Sequence, residues 1–370
     1  MVAVRYFPFM GGVETHVYEV SRRLVQQGFE VTVVTTNPDG NLPIEETREG
    51  VQIVRVAAWP RQRDFCVSPE LYRLIASRRW DIIHCQGYHT LFTPLAMLAA
   101  WRAGLPYVVS FHSGGHSSRL RNAVRGLQRR VLRPLLAHAT RLVAVSNFEA
   151  GFFREKLKLS ADHFVVIPNG AQLPQLENSG ETGPETADAG PLILSVGRLE
   201  RYKGHQRLIS ALPKVLEKYP AARLRIVGGG PYEPELQKLV KSLGLEDRVA
   251  IGAISPTDRQ GMAAVVNQAA VVALLSDYEA HPVAVMEALA LHRPVLVANT
   301  SGLRELAERR LVRAVPLDST PEQIAAALIA QIENPLIPAQ VELPSWEDCA
   351  TRLAALYQQI LAKATVNSHR

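Results

Sequence analysis

A chain of 370 residues with 47% hydrophobic and 21% charged residues is ordinary for a globular protein, but exceeds what one hydrophobic core organises, so two domains are expected. The net charge of +6 is uneven: residues 1–170 hold 21 Lys and Arg against 13 Asp and Glu, whereas residues 171–370 hold 20 against 22. The first half should therefore meet an anionic partner, either nucleic acid or an acidic membrane surface.

The start, MVAVRYFPFMGG, is too short and too quickly interrupted for a signal peptide, and no apolar run reaches transmembrane length. Few residues precede the Gly11-Gly12 pair, so a shortened first strand is expected there. An apolar-periodic helix over Val13–Gln27 ends at Gly28. Short β-branched runs at 31–36, 51–56, 81–85, 106–111, 141–146 and 163–168 then alternate with helical stretches. That βα series implies a parallel sheet covered on both faces. The segment NSGETGPETADAGP (178–191) has the composition of a linker, placed over 171–190 between a first domain, 1–170, and a second, 191–343. Strand runs resume at 192–197, 223–228, 248–253, 270–276 and 293–299. Ser345 caps a last helix reaching Ala362, with Glu347 and Asp348 in its first turn, and the tail ATVNSHR (364–370) is expected to be disordered. The three cysteines, Cys66, Cys85 and Cys349, show no metal-ligand spacing and suit a reducing, cytoplasmic setting. The chain is expected to be soluble or peripheral on the inner face of a membrane.

Ligands of doubly wound sheets bind beyond the carboxyl ends of the strands, and a cleft between two domains is a preferred site. In SDYEAHPVAVMEALAL (276–291), Pro282 suits a first helical turn, which leaves Glu279 in a strand-to-helix loop. Glu287 then lies about one and a half turns into the helix. A carboxylate in the apolar run VAVMEALAL needs a partner, because burying it alone is costly. Either a structural arginine or a ligand can supply one. At another strand end, GRLERYKG (197–204) presents Arg198 and Lys203, which suit a diphosphate, while a helix N-terminus after the Glu279 loop suits phosphate.

Through these motifs the sequence resembles the retaining glycosyltransferases of the GT-B architecture, specifically glycosyltransferase family 4. Glu279 and Glu287 match its E-x7-E motif and GRLERYKG its G-R-L-x-x-x-K-G segment. MGGVETHV (10–17), VIPNGA (166–171), IVGGGP (226–231) and the last helix match further segments in family order. The resemblance implies two Rossmann-like domains facing across a cleft, with the C-terminal segment 344–370 crossing back to the first. It implies transfer of a hexose or N-acetylhexosamine from a UDP- or GDP-sugar to a saccharide or lipid-linked acceptor, as in cell-surface polysaccharide or glycolipid synthesis. No cofactor is implied, and no DxD-type motif appears, so metal independence is expected.

By the same resemblance, Arg198 and Lys203 neutralise the leaving diphosphate, Glu287 accepts from the ribose hydroxyls and Glu279 contacts the transferred sugar. Backbone amides of His281, Val283 and Ala284 hold sugar and phosphate, Gly11 and Gly12 admit the phosphates, and main chain around Ile251–Ala253 meets the base. His112, in VVSFHSGG (108–115), matches a cleft histidine that binds the sugar and orients the acceptor; His84, His89 and His116 have weaker claims. The sequence departs from the family at Ala280 and at His292, where glycine is usual.

The segment SRLRNAVRGLQRRVLRPLL (118–136) has six arginines and no acid. Leu120, Val124, Leu127, Val131 and Leu135 recur at helical spacing. This reads equally as a sheet-covering helix with a solvated face or as a surface for anionic lipid. A nucleotide-sugar 2-epimerase of the same fold and a non-catalytic nucleotide-sugar-binding module are the rival readings. A dinucleotide dehydrogenase is excluded because Glu233 takes the third glycine position in GGGPYE. Nucleic acid is not expected, for no aromatic residues interleave the basic ones.

Overall fold

The structure is a computed structural model that describes residues 1–9, 11–61, 65–77, 79–112, 119–171, 190–255 and 258–368, with the side chains of 119–124 and 364–368 excepted. His116, Ser118, Met10 and most of the 171–190 linker lie outside the described residues, as do His369, Arg370 and the side chains of Leu120 and Val124. Two compact units emerge, one formed by Met1–Ser113, Leu120–Gly170 and Pro344–Arg370, the other dominated by Ala171–Leu343.

In the first unit the elements run α1 (Gly12–Gln26), β1 (Thr32–Thr36), β2 (Glu45–Arg48), β3 (Val51–Val56), α2 (Pro69–Ala76), β4 (Ile83–Gln86), α3 (Phe92–Ala103), β5 (Tyr107–Ser110), α4 (Arg119–His138), β6 (Arg141–Ala144), α5 (Asn147–Leu157) and β7 (Phe164–Val166). Strands β4-β5-β6-β7 pair in that order, all parallel, and β1-β3-β2 form a second group with β2 antiparallel. Isolated bridges at Val2 join them. Val2 bridges Val34 on one side and Cys85 on the other, its amide donating to His84 O at 2.8 Å and its carbonyl accepting from Gln86 N at 2.9 Å. Neighbouring strand residues feed opposite faces: Val34, Val109 and Leu142 enter one core, while Val33, Val108 and Val143 enter another with α1. That is the signature of a sheet covered on both sides. The polar strand EETR was not expected; its pairing with β3 is set by the backbone ladder rather than by an apolar face.

The second unit runs β8 (Leu192–Val196), α6 (His205–Leu216), β9 (Arg223–Val227), α7 (Glu233–Ser242), β10 (Val249–Gly252), α8 (Arg259–Gln268), β11 (Val271–Leu274), α9 (Val283–Ala290), β12 (Val295–Ala298), α10 (Ser301–Glu308), β13 (Arg313–Val315) and α11 (Pro321–Glu333). Its six strands form one parallel sheet in the order β10-β9-β8-β11-β12-β13, reversing between β8 and β11. After α9, His292 has φ +53°, the left-handed conformation for which glycine carries no penalty, so the departure at this position has a backbone meaning.

The final helix, α12 (Trp346–Ser368), belongs to the first unit. Ser345 and Asp348 cap it reciprocally: Asp348 N donates to Ser345 Oγ at 3.0 Å, and Ser345 N to Asp348 Oδ2 at 3.0 Å. The helix continues through residues 364–368, correcting the expectation of a disordered tail there. Its buried residues Trp346, Leu353 and Tyr357 complete the core shared with α1, and Gln27 reaches Glu347 at 3.0 Å.

Candidate functional site

The carboxyl ends of β8 and β11 are adjacent in the second sheet, so the loops that follow them meet. Gly204 (φ +77°) closes the first loop, and a Cβ there would lie 1.9 Å from Leu275 O. Only glycine lets GRLERYKG press this closely on the end of β11. The contact is reinforced by Asp277 N donating to Tyr202 O at 2.7 Å and Ser276 Oγ to Lys203 O at 3.3 Å. Arg207 adds bonds to Leu275 O and Asp277 Oδ1.

This packing places Lys203 Nζ 2.6 Å from Glu279 Oε1, with both side chains largely out of water. Ser276 Oγ donates to the same carboxylate oxygen at 2.7 Å. Burial opposes the charge on Lys203, but Glu279 and Tyr202 outweigh it and raise its pKa above the ordinary lysine value. The Glu279 backbone is fixed as well: its amide donates to Ser301 Oγ at 2.8 Å, and its carbonyl accepts from Gly302 N at 2.8 Å. Arg198, by contrast, is 68% exposed, with Glu200 at 3.7 Å. Beneath it lies fully buried His205. Its Nε2 donates to Arg198 O at 3.2 Å, and its Nδ1 accepts from Ser195 Oγ at 3.0 Å. Burial lowers the His205 pKa to about 4, so the ring is a neutral clamp on the cationic loop.

Glu287 is buried on α9, and the partner demanded by its apolar surroundings is Arg259, at the start of α8, whose Nη2 lies 2.5 Å from Glu287 Oε1. Of the two partners the sequence left open, a structural arginine is the one within the chain. Burial still outweighs that attraction, so the Glu287 pKa is raised above the usual carboxylate range. The first acceptor within α9 is Pro282 O, bonded to Val285 N and Met286 N, so the amides of Val283 and Ala284 precede the helical ladder. His281, just before them, has a buried Nδ1 with no partner among the described residues, and burial lowers its pKa to about 4. Ile251 lies in edge strand β10, paired with Ile226, its side chain packed on the core.

The first unit gathers different chemistry at the ends of its strands. His112, just after β5, has φ +43° and donates through Nε2 to Gln86 Oε1 at 2.7 Å. Its ring centroid is 4.5 Å from that of His16 on α1, and His16 Nδ1 bonds Asn169 Oδ1 at 2.8 Å. Burial, aided by neighbouring His16 and His84, holds the His112 pKa well below the ordinary value, and burial lowers that of His16 to about 4. His16 Nε2 and Gln86 Nε2 are buried without a partner among the described residues. Gly11 caps α1 with no side-chain bond, and a Cβ on Gly12 would meet nothing within 4 Å, so the space over its backbone is open. His84 has a structural role: its ring bonds Tyr357 OH and Ser110 Oγ, tying α12 to the sheet. Both ring nitrogens of His89 are buried without partners among the described residues.

Lys203, Glu279 and the start of α9 thus come together, Glu287 is paired with Arg259, and Arg198 stays open. Arg259, Ser276, Ser301, His205, His16, Gln86 and Asn169 were missed in the sequence. Arg259 carries one usable signal, the need of Glu287 for a cation, but several arginines could have met it. Among the described residues, no three His, Cys, Asp or Glu side chains are grouped to hold a metal.

Residues 10–173 match the model of Glycosyltransferase Family 4, and residues 183–344 that of Glycosyl transferases group 1. The D-inositol 3-phosphate glycosyltransferase of Nocardiopsis dassonvillei is 29% identical over 92% of this chain and 86% of its own. An uncharacterized glycosyltransferase of Methanocaldococcus jannaschii is 27% identical over 88% and 86%. Among solved structures, sucrose-phosphate synthase from Thermosynechococcus elongatus superposes with a TM-score of 0.77 at 22% identity, covering 98% of each chain. Anabaena HepE in complex with UDP-glucose gives 0.68 at 19% identity, covering 99% of each. At these identities the structural likeness speaks for the fold.

Proposed function

The chain belongs to the GT-B glycosyltransferases of family 4, and from that premise we propose that it transfers a hexose or N-acetylhexosamine, with retention, from a nucleotide diphosphate sugar to a saccharide or lipid-linked acceptor. The observation that carries this reading is the junction of Lys203, Glu279 and the uncapped start of α9 beside exposed Arg198. A diphosphate supplies the negative charge that two cations and first-turn amides can share.

In the proposed step the bond between the anomeric carbon and the β-phosphate oxygen breaks, and its electron pair stays on the phosphate. The acceptor oxygen bonds the same face of that carbon, and its proton passes to the departing phosphate. Arg198, Lys203 and the amides of His281, Val283 and Ala284 stabilise the leaving group, where most of the charge develops. Glu279 contacts the sugar as positive charge builds on its ring. Glu287 accepts from the ribose hydroxyls while Arg259 keeps it ionised, and the main chain of Ile251–Ala253 meets the base. Gly11 and Gly12 offer open backbone to phosphate, and His112 offers a neutral ring to sugar and acceptor. UDP-glucose is the first donor to try, because HepE, a structural neighbour, has been solved with it, and a GDP-sugar is the second.

A thermal-shift panel of UDP- and GDP-sugars, followed by slow hydrolysis of the best donor, tests the reading. Stabilisation by one donor with release of its nucleotide is expected. A folded sample stabilised by none overturns the assignment. Binding without hydrolysis or transfer identifies a non-catalytic module, and conversion of the donor to its 2-epimer identifies an epimerase.

A further inference from the structure

The basic segment is left unused by the transfer chemistry, and only part of its expected apolar stripe faces the core. Leu132, Leu135 and Leu136 of α4, with Ala139 just beyond its end, pack on the first unit's core, and Gln128 Nε2 donates to His89 O at 3.0 Å. Leu127 and Val131, one turn apart, point the other way and are 63% and 66% exposed. Pro134 continues their stripe, since residues three and four apart share a helix face. Of the expected stripe, Leu135 packs on the core, whereas Leu127 and Val131 face away from it.

Two further observations bear on what meets this stripe. Trp101, at the end of α3, is 40% exposed, and its ring lies 4.8 Å from that of His138 on α4. It extends the apolar surface beyond one helix. The charge on α4 is of one sign: residues 119–138 contain no Asp or Glu, and Arg130 and Arg133 are exposed. Arg133 is anchored by Nε to Leu157 O at 2.8 Å, and Arg129 turns instead toward the Phe152 ring.

An exposed leucine, valine and tryptophan flanked by arginines without acids match an interface that is apolar in depth and anionic at its surface. A protein partner with a purely apolar face would leave the arginines desolvated, whereas lipid phosphates pair with them. We propose that this face docks on an anionic lipid bilayer, with Leu127, Val131 and Trp101 entering the headgroup region and Arg130 and Arg133 paired with lipid phosphates. The docking does not depend on which donor is used.

Vesicle sedimentation with the full chain decides it, comparing phosphatidylglycerol–phosphatidylcholine vesicles with phosphatidylcholine alone. Binding to the anionic vesicles that weakens with salt is expected. Arg130→Glu should weaken it at least about fivefold. Leu127→Ser/Val131→Ser should remove the salt-resistant part, and the emission shift on binding should shrink in Trp101→Phe. All these residues are exposed, so melting temperatures should match wild type and report that each variant is folded. Equal binding to both vesicles, no binding, or folded variants that bind like wild type overturn the proposal. A dimer abolished by Leu127→Ser/Val131→Ser, without vesicle binding, assigns the face to a second copy instead.

Discussion

The strand ends of the two units are equipped in opposite ways. In the second unit two ion pairs stand at these ends, Lys203 with Glu279 and Arg259 with Glu287, beside the buried rings of His205 and His281. In the first unit they are histidines kept neutral by burial, with His16 Nε2 and Gln86 Nε2 lacking partners among the described residues. Matched charges resist burial costs but must exchange partners when an ionic ligand arrives. Neutral rings and amides suit hydroxyl groups, which both donate and accept without net charge. The contrast predicts charge-dependent chemistry in one unit and pH-dependent stability in the other.

The largest effect should follow Lys203→Ala. It removes the cation proposed for the leaving diphosphate and leaves the Glu279 carboxylate with Ser276. Turnover should fall about 10²–10³-fold, and unfolding free energy by about 3 kcal/mol. Adding Glu279→Ala should restore much of the stability, because no buried charge is then left alone, and none of the turnover. Wild-type turnover in Lys203→Ala would break the comparison at its charged end.

Next come the two glutamates. Glu287→Ala should weaken UDP affinity about 10–100-fold, the worth of hydrogen bonds to a charged acceptor. Glu279→Ala should mainly slow transfer. Arg259→Ala separates charge from position. Glu287 accepts from ribose more strongly when ionised, so affinity is full above its pKa and weakens as pH falls through it. Burial already raises that pKa, and removing Arg259 raises it further, so the variant should lose UDP affinity at a higher pH than wild type. Calorimetric titration across the weakly acidic range measures the displacement. Coincident curves would leave Arg259 without the role given it here.

These experiments also mark what was legible in the sequence. The buried strands were, because a parallel sheet covered on both faces writes continuous β-branched runs such as VVAL and VLVA. That Glu279 and Lys203 each follow a strand end was, although only the fold shows that the two strands adjoin. Arg259 was not: it is 28 residues from Glu287, and only the fold brings the starts of α8 and α9 within reach. Nor was the outward turn of Leu127 and Val131, since periodicity gives a stripe but not the side of the helix that meets the sheet. Strand β2 was invisible for a related reason, having no apolar residue to alternate.

The neutral end of the comparison can be tested by acid. The His16 pKa is lowered to about 4 by burial, against an ordinary value of 6.5. Between those values an unfolded chain binds a proton that the folded one refuses, so stability is full above pH 6.5 and lost as pH falls toward 4. One such ring contributes about 1.4 kcal/mol per pH unit in that window. His16→Gln keeps a polar side chain without the titration. Its loss of stability between about pH 6.5 and 5.5 should be smaller than wild type by about 1 kcal/mol in urea denaturation. An unchanged slope would mean that His16 is not the buried neutral ring described.

The smallest effect on stability should come from the other cation of the charged site. Arg198 is 68% exposed and lies 3.7 Å from the buried Glu200 carboxylate, a long and solvent-screened pair, so Arg198→Ala should alter unfolding free energy by no more than about 1 kcal/mol. If Arg198 serves the diphosphate, UDP affinity should nonetheless fall and lose part of its dependence on salt. Lys203→Ala would then cost both fold and binding, and Arg198→Ala binding alone, because one cation is matched within the protein and the other waits in solvent. Equal affinity and equal salt dependence in Arg198→Ala and wild type would confine the diphosphate charge to Lys203 and the start of α9.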